Sequence, residues 1–275
     1  MDRLRGARII EACIGPENLL IAADGDSNNY GATCWTSPQR DWGWPPVPEH
    51  DSQPYAVSAR GPELEFRGQP APRSGIAMTK RFHVDSQRET FSAEYELENQ
   101  GGVRGSGVSS GGPVAAPSVA PWEISRHPTR GLTFFPTGAG VQAARSTLRT
   151  TESEGAIWLA YDPASVTDHQ KMFAHGAEGW VAHVDVARGM LLIKTFPEIS
   201  VTEQAPEESQ IEIYADPTHT YIEVEQQGAY RALAPGEHTA WEVVWRLRRL
   251  PRAISPTVGN RELLAFVRGV IADPR

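Results

Sequence analysis

Between Gln210 and Arg249 three consecutive runs alternate apolar and polar residues with period two, and each is closed by a Pro or Gly signal. Such a pattern leaves little room for anything but antiparallel strands. Side chains two apart share a face, so Ile222 and Val224 point one way while Tyr221, Glu223 and Glu225 point the other. In the last run Trp241, Val243, Trp245 and Leu247 share a face opposite Glu242, Val244, Arg246 and Arg248. Strands of this kind pack on one side and can meet a polar ligand on the other. The connection Leu233-Ala-Pro-Gly-Glu-His238 supplies the turn, because Pro presets φ and Gly tolerates positive φ.

The remainder follows the same idiom. Two short strands are expected around the turn Gly15-Pro-Glu-Asn18, and two long ones between Ile76 and Asn99 with a polar turn at Asp85-Ser-Gln87. Val114 to Arg126 reads as strand interrupted at Pro117 and Pro121, and Thr147 to Tyr161, Gly179 to Val186 and Met190 to Phe196 add more. Residues 35 to 55 carry Trp35, Trp42 and Trp44 among five prolines, which predicts an ordered irregular loop folded over one end of the sheet. Residues 100 to 112, almost all Gly, Ser, Val and Arg, predict a mobile hairpin insertion. A helix is expected only over 260 to 272, where Asn260 can cap and Leu263, Val267 and Ile271 recur at spacing four. With 275 residues and no linker separating two self-sufficient halves, one all-β domain is expected.

Composition excludes several functions. A formal net charge of -8 argues against a nucleic-acid surface, which rests on Lys and Arg neutralising phosphates, and the arginines at 246, 248, 249 and 252 read as a solvated strand edge. No apolar run is long enough for a membrane helix, and the basic start Met1 to Gly6 precedes no signal-peptide core, so a cytoplasmic protein is expected. Cys13 and Cys34 are too few for a disulfide framework and read as buried small residues. A phosphate-cradling loop, a dinucleotide fingerprint and a Gly-x-Ser-x-Gly elbow are all missing.

The Glu-rich strand, the following Gly and the Leu-Ala-Pro-Gly-Glu turn before a long terminal strand resemble the end of galactose-mutarotase-like supersandwich proteins. Gly31-Ala-Thr-Cys-Trp-Thr-Ser-Pro38, Trp42-Gly-Trp-Pro-Pro46, Glu98-Asn99 before Pro113-Val114, and Trp122-Glu-Ile-Ser-Arg126 resemble landmarks of an uncharacterised branch of that superfamily. The resemblance implies a supersandwich of antiparallel strands that binds a sugar on a concave sheet face and isomerises it by acid and base, with no cofactor and no metal, as a monomer or homodimer. It places the base at Glu225, with Glu223 its neighbour on the same face. The acid histidine of mutarotases is replaced by Trp122, which leaves Arg126 or His127 to enter the same cleft as the electrophilic partner.

Other residues fit the same reading. Arg126 offers five donors in a rigid fork suited to a carboxylate or vicinal hydroxyls. Lys171, in Asp168-His-Gln-Lys171, and Arg81 are candidate anchors for a sugar or sugar acid. Indoles stack on sugar faces and also fill cores. Trp241 and Trp245 are expected in the core, whereas Trp35, Trp42, Trp44 and Trp122 are the stacking candidates. A carbohydrate-binding module without chemistry and a uronate lyase using the same base and cation are the alternatives. His183-Val-Asp185 with His238 and Arg248 has the order of an iron-dependent 2-oxoglutarate oxygenase, although His83-Val-Asp85 repeats the tripeptide elsewhere.

Overall fold

The computed structural model describes residues 1–101, 116–138 and 145–273. The expected mobile insertion over 100 to 112 therefore lies, beyond Gly101, outside the described residues. Nineteen strands build three sheets among the described residues. In chain order they begin with β1 (Cys13–Ile14), β2 (Glu17–Asn18), β3 (Ala32–Ser37), β4 (Ala56–Arg60), β5 (Glu63–Arg67), β6 (Ile76–Asp85) and β7 (Thr90–Asn99). β8 (Ser118–His127), β9 (Gly131–Pro136), β10 (Arg145–Ser146), β11 (Thr151–Ser153), β12 (Ala156–Ala160) and β13 (Gln170–Ala174) follow. The last are β14 (Trp180–Asp185), β15 (Met190–Thr195), β16 (Ile211–Ala215), β17 (Ile222–Gln227), β18 (Arg231–Ala232) and β19 (His238–Arg249). One turn of helix, α1 (Pro48–Asp51), sits early in the chain, and α2 (Arg261–Ala272) closes it.

A ten-stranded sheet runs β11-β12-β9-β14-β15-β19-β7-β6-β5-β4. A seven-stranded sheet runs β10-β13-β16-β17-β8-β18, with β3 also paired to β8, and β1 and β2 form a separate hairpin. Every strand pairing among the described residues is antiparallel. The two large sheets stack because each strand turns one alternating set of apolar residues inward: Ile213, Ile222 and Val224 from one, Met78, Leu97, Val243 and Trp245 from the other. The strands β9, β12, β14 and β15 read as nearly continuous apolar runs because they are buried on both faces. Their second face, with Phe134, Trp158, Trp180 and Leu191, is covered by Leu263, Leu264 and Val267 of α2. Asn260 caps that helix as expected, accepting from the backbone N–H groups of Glu262 and Leu263.

The structure departs from the sequence reading in several places. Trp35 belongs to strand β3, where a segment of irregular loop is expected, because the prolines begin only at Pro38 and leave Ala32 to Ser37 free to pair with β8. Cys13 is exposed in the β1 hairpin, and only Cys34 is a buried thiol. The hairpin of β4 and β5, and strands β9 and β13, carry weaker alternation and have no counterpart in the sequence reading.

The sandwich interior is not purely apolar. Lys194 Nζ lies 2.8 Å from Glu123 Oε1 and donates to Ser125 Oγ at 2.7 Å, and all three side chains are buried. Tyr95 Oη donates to Glu123 at 2.6 Å, and the Trp245 indole N–H also points at that carboxylate. Ser125 Oγ meets His127 Nε2 at 2.8 Å, and the ring of His127 faces that of His183 with centroids 4.4 Å apart. Room for His183 depends on Gly131, where a Cβ would stand 2.2 Å from His183 Cε1. Gly131→Ala is therefore expected to destabilise the fold by about 1–3 kcal/mol through overpacking, read as a lower urea midpoint with an unchanged slope.

Candidate functional site

The antiparallel register of four strands brings the site together. Lys171 on β13 stands opposite Tyr214 on β16, Tyr214 opposite Glu223 on β17, and Glu223 opposite Arg126 on β8. These four share the outer face of the seven-stranded sheet, because the residues that alternate with them, Met172, Ile213, Val224 and Ser125, turn into the sandwich. Two residues further along lies a second row of Phe173, Glu212, Glu225, Ile124 and Thr33, and beyond it Gln227, Trp122 and Trp35.

The loop after β3 folds onto the lower rows. Trp35 meets Trp42, Trp44 and Trp122 edge to face with ring centroids 5.7 to 6.1 Å away. Its indole N–H donates to Asp51 Oδ1 at 2.8 Å, and that of Trp42 donates to the Thr36 carbonyl at 2.8 Å. What the loop leaves open is a cleft of about 600 Å³ lined by Asn29, Trp35, Gln39, Trp44, Trp122, His169, Lys171, Tyr214, Asp216, Tyr221 and Glu223. Its size is that of a small-molecule site.

At the base of the cleft Arg126 Nε lies 2.8 Å from Glu223 Oε1. The guanidinium is fully buried, stands over the rings of Trp35 and Tyr221, and its terminal nitrogens Nη1 and Nη2 have no protein hydrogen-bond partner. Tyr214 Oη lies 2.5 Å from His169 Nδ1 on the cleft rim. Burial pushes the phenols of both Tyr214 and Tyr221 well above the usual tyrosine range, so each is a proton donor at any physiological pH. Lys171 Nζ bridges Glu212 Oε2 at 2.7 Å and Glu225 Oε2 at 3.2 Å and lies 4.7 Å above the Trp122 ring. Burial raises the Glu225 carboxyl to about 7 against the pull of Lys171, and Glu212 moves the same way for the same reason.

The candidates separate accordingly. Glu223, Arg126, Lys171, Trp122, Trp35 and Trp44 converge on the cleft or its floor. Glu225, the expected base, is on the correct face but fully buried beneath Lys171, so the carboxylate that reaches the cleft is Glu223. His127 is corrected outright: it is one residue out of phase with Arg126 and turns inward. Burial and the neighbouring His183 and Lys194 hold it well below the usual histidine range. Arg81 belongs to the other sheet, on its outer face, where it pairs with Glu65, Glu94 and Glu96. The iron-site alternative fails on distance. His183 is level with Leu247 through β15, and His238 lies nine residues along β19 from there, roughly 30 Å at strand rise. Among the described residues no group of three His, Cys, Asp or Glu side chains could hold a metal ion.

Tyr214 was legible in principle, since it alternates with Glu212 in the same strand pattern, and His169 stands two residues before Lys171. Asn29, Gln39 and Asp216 come from loops and carry no such signal. No helix of the described chain is long and apolar enough to cross a membrane.

A family model described as a domain of unknown function, DUF4380, matches residues 139–248. No curated protein matches the sequence. Among solved structures, a galactose mutarotase related enzyme from Lactobacillus acidophilus is similar at 8% identity and TM-score 0.55, over 95% of this chain and 98% of that one. A protein from Synechocystis sp. is similar at 11% identity and TM-score 0.57, over 90% of each chain. A TPR-domain containing protein from Parabacteroides distasonis is similar at 14% identity and TM-score 0.56, over 90% of this chain, which spans 40% of that protein's length. The chain has the galactose-mutarotase-like sandwich fold.

Proposed function

We propose that this mutarotase-like sandwich binds a sugar in the cleft above Arg126 and interconverts its anomers by acid and base. The observation that carries the reading is Glu223, held at 2.8 Å by the buried Arg126 beneath it and facing a cleft walled by Trp35, Trp44, Tyr214 and Tyr221. Indole and phenol faces suit the C–H faces of a pyranose, and Glu223 and Lys171 in the lining offer polar partners for its hydroxyls. In the ring-opening direction the Glu223 carboxylate takes the proton from the anomeric hydroxyl, a carbonyl forms at C1, and the bond from C1 to the ring oxygen breaks. The ring oxygen takes its proton from the His169 and Tyr214 pair. Rotation about C1–C2 and reversal of both transfers close the other anomer, with no net gain or loss of protons. Lys171, held by Glu212 and Glu225, fixes the floor on which the sugar stands.

Each positioned acid or base contributes ~10²- to 10⁴-fold. Glu223→Gln is accordingly expected to slow anomer exchange by about 10²-fold or more while sugar still binds, read by two-dimensional exchange NMR on hexoses, pentoses and uronates. No acceleration of any of them by the native protein would overturn the isomerase. The replacement of the expected acid histidine by Trp122 favours a second reading, a binding module that uses the same cleft without turnover. Sugar binding without exchange would select it.

A further inference from the structure

The cleft does not end at Trp44. A second hollow, also about 600 Å³, is lined by Arg5, Arg8, Asn28, Asp51 and Ser52, and it shares Asn29, Trp35 and Trp44 with the first. Trp44 therefore stands between two sugar-sized spaces. Its indole is 63% exposed and rests edge to face on the buried Trp35, 6.1 Å between centroids. A large apolar ring left in solvent beside a ready apolar neighbour costs the free protein, and a ligand that covers it would recover that cost. The far hollow sets polar groups against the rings of Pro45, Pro46 and Pro48, and its polar side is structurally anchored. Arg8 is buried, pairs with Asp51 Oδ1 at 2.8 Å and donates to the carbonyls of Asn28 and Tyr30. Arg5 and Asn28 remain exposed at its edge, with Arg5 giving one N–H to the Ser27 carbonyl.

We propose that the two hollows are consecutive subsites and that the ligand is a disaccharide or longer oligosaccharide. One unit sits over Arg126 and Glu223, the next in the hollow of Arg5 and Asn28, and Trp44 stacks at the junction. The assignment rests on the sugar reading of the first cleft and names the ligand class that cleft takes. A free monosaccharide in the first cleft would cover one side of Trp44 and leave the far hollow empty.

Quenching of tryptophan fluorescence, with isothermal titration as the second readout, tests the proposal on the full chain with glucose, galactose, maltose, cellobiose, lactose and maltotriose. At least one disaccharide is expected to bind about tenfold tighter than either of its component sugars, which is about 1.4 kcal/mol. Two variants act on the far hollow from different directions: Arg5→Ala removes a donor, and Ser52→Trp fills the space. Each is expected to bring the ratio of disaccharide to monosaccharide affinity down toward one. Monosaccharides that bind as tightly as every disaccharide, or a ratio insensitive to both variants, would overturn the second subsite and leave the first intact. If none of the six sugars binds, and no pentose or uronate does either, the sugar reading falls and the subsite with it.

Discussion

Acidification from pH 7.5 to pH 4.5 is expected to cost the native protein roughly 2–3 kcal/mol at each of two buried histidines, His50 and His183. Burial depresses both from the ordinary 6.5 to about 4. His50 Nε2 lies 3.0 Å from the Ile76 carbonyl, and His183 Nδ1 2.9 Å from Thr133 Oγ1; Glu49 and Asp51 near the first ring and Asp185 near the second favour the charged form, but burial outweighs them. Because the folded-state values lie below the unfolded one, the unfolded chain takes up protons first. The stability these rings contribute is complete above about pH 6.5 and is lost as pH falls through the window down to about 4. His127, also depressed by burial, acts in the same sense. Glu225 opposes them: its raised carboxyl destabilises the fold as pH climbs from 4.5 to about 7. The difference between native protein and variant isolates the histidine contribution from that background. His50→Gln keeps the donor to Ile76 and His183→Asn keeps a partner for Thr133, yet neither can be protonated. Urea unfolding at the two pH values should show each variant losing roughly 2–3 kcal/mol less than the native protein. Equal losses in native protein and variants would mean that the rings are not held neutral by burial.

The second large effect is expected at Lys194. Its ammonium and the Glu123 carboxylate are both sealed between the sheets, 2.8 Å apart. Taking one charge away leaves the other buried with only the hydroxyl of Tyr95 and the indole of Trp245 to answer it. Lys194→Met should therefore destabilise by about 3–5 kcal/mol, a large share of the ~5–15 kcal/mol that holds a domain together. Glu123→Gln in the same chain keeps acceptors for Tyr95 and Trp245 and removes the stranded charge. The double variant should accordingly be more stable than Lys194→Met alone, with a coupling of about 2 kcal/mol or more in a double-mutant cycle. A Lys194→Met cost under about 1 kcal/mol, or strict additivity, would show that the pair is not desolvated as the structure has it.

These effects mark where sequence reasoning reaches and where it stops. Alternation of period two places Glu223 and Glu225 on one face and Ile222 and Val224 on the other, and it does so from the chain alone because backbone geometry dictates it. The cap at Asn260 and the hairpin of β6 and β7 are equally local, and each was legible. Alternation says nothing about what covers a face. Only the Trp loop folding over the lower rows decides that Glu225 is sealed under Lys171 while Glu223 meets the cleft. His127 has the same lesson: one step along β8 reverses direction, so Arg126 and His127 cannot both face the cleft, and only the pairing of Arg126 with Glu223 decides which of them does.

The sequence by itself determined the strongly alternating strands, their two faces, the terminal helix and the kind of chemistry one face can hold, because these follow from dihedral limits and from the separation of apolar from polar residues along the chain. The tertiary structure alone decided which carboxylate is reachable, which cation is already paired, and that Arg81, His127 and His238 lie away from the cleft. Those outcomes depend on strand register and loop packing between residues of different strands, such as Arg126 with Glu223 and Lys171 with Glu225, and no short stretch of chain carries that information.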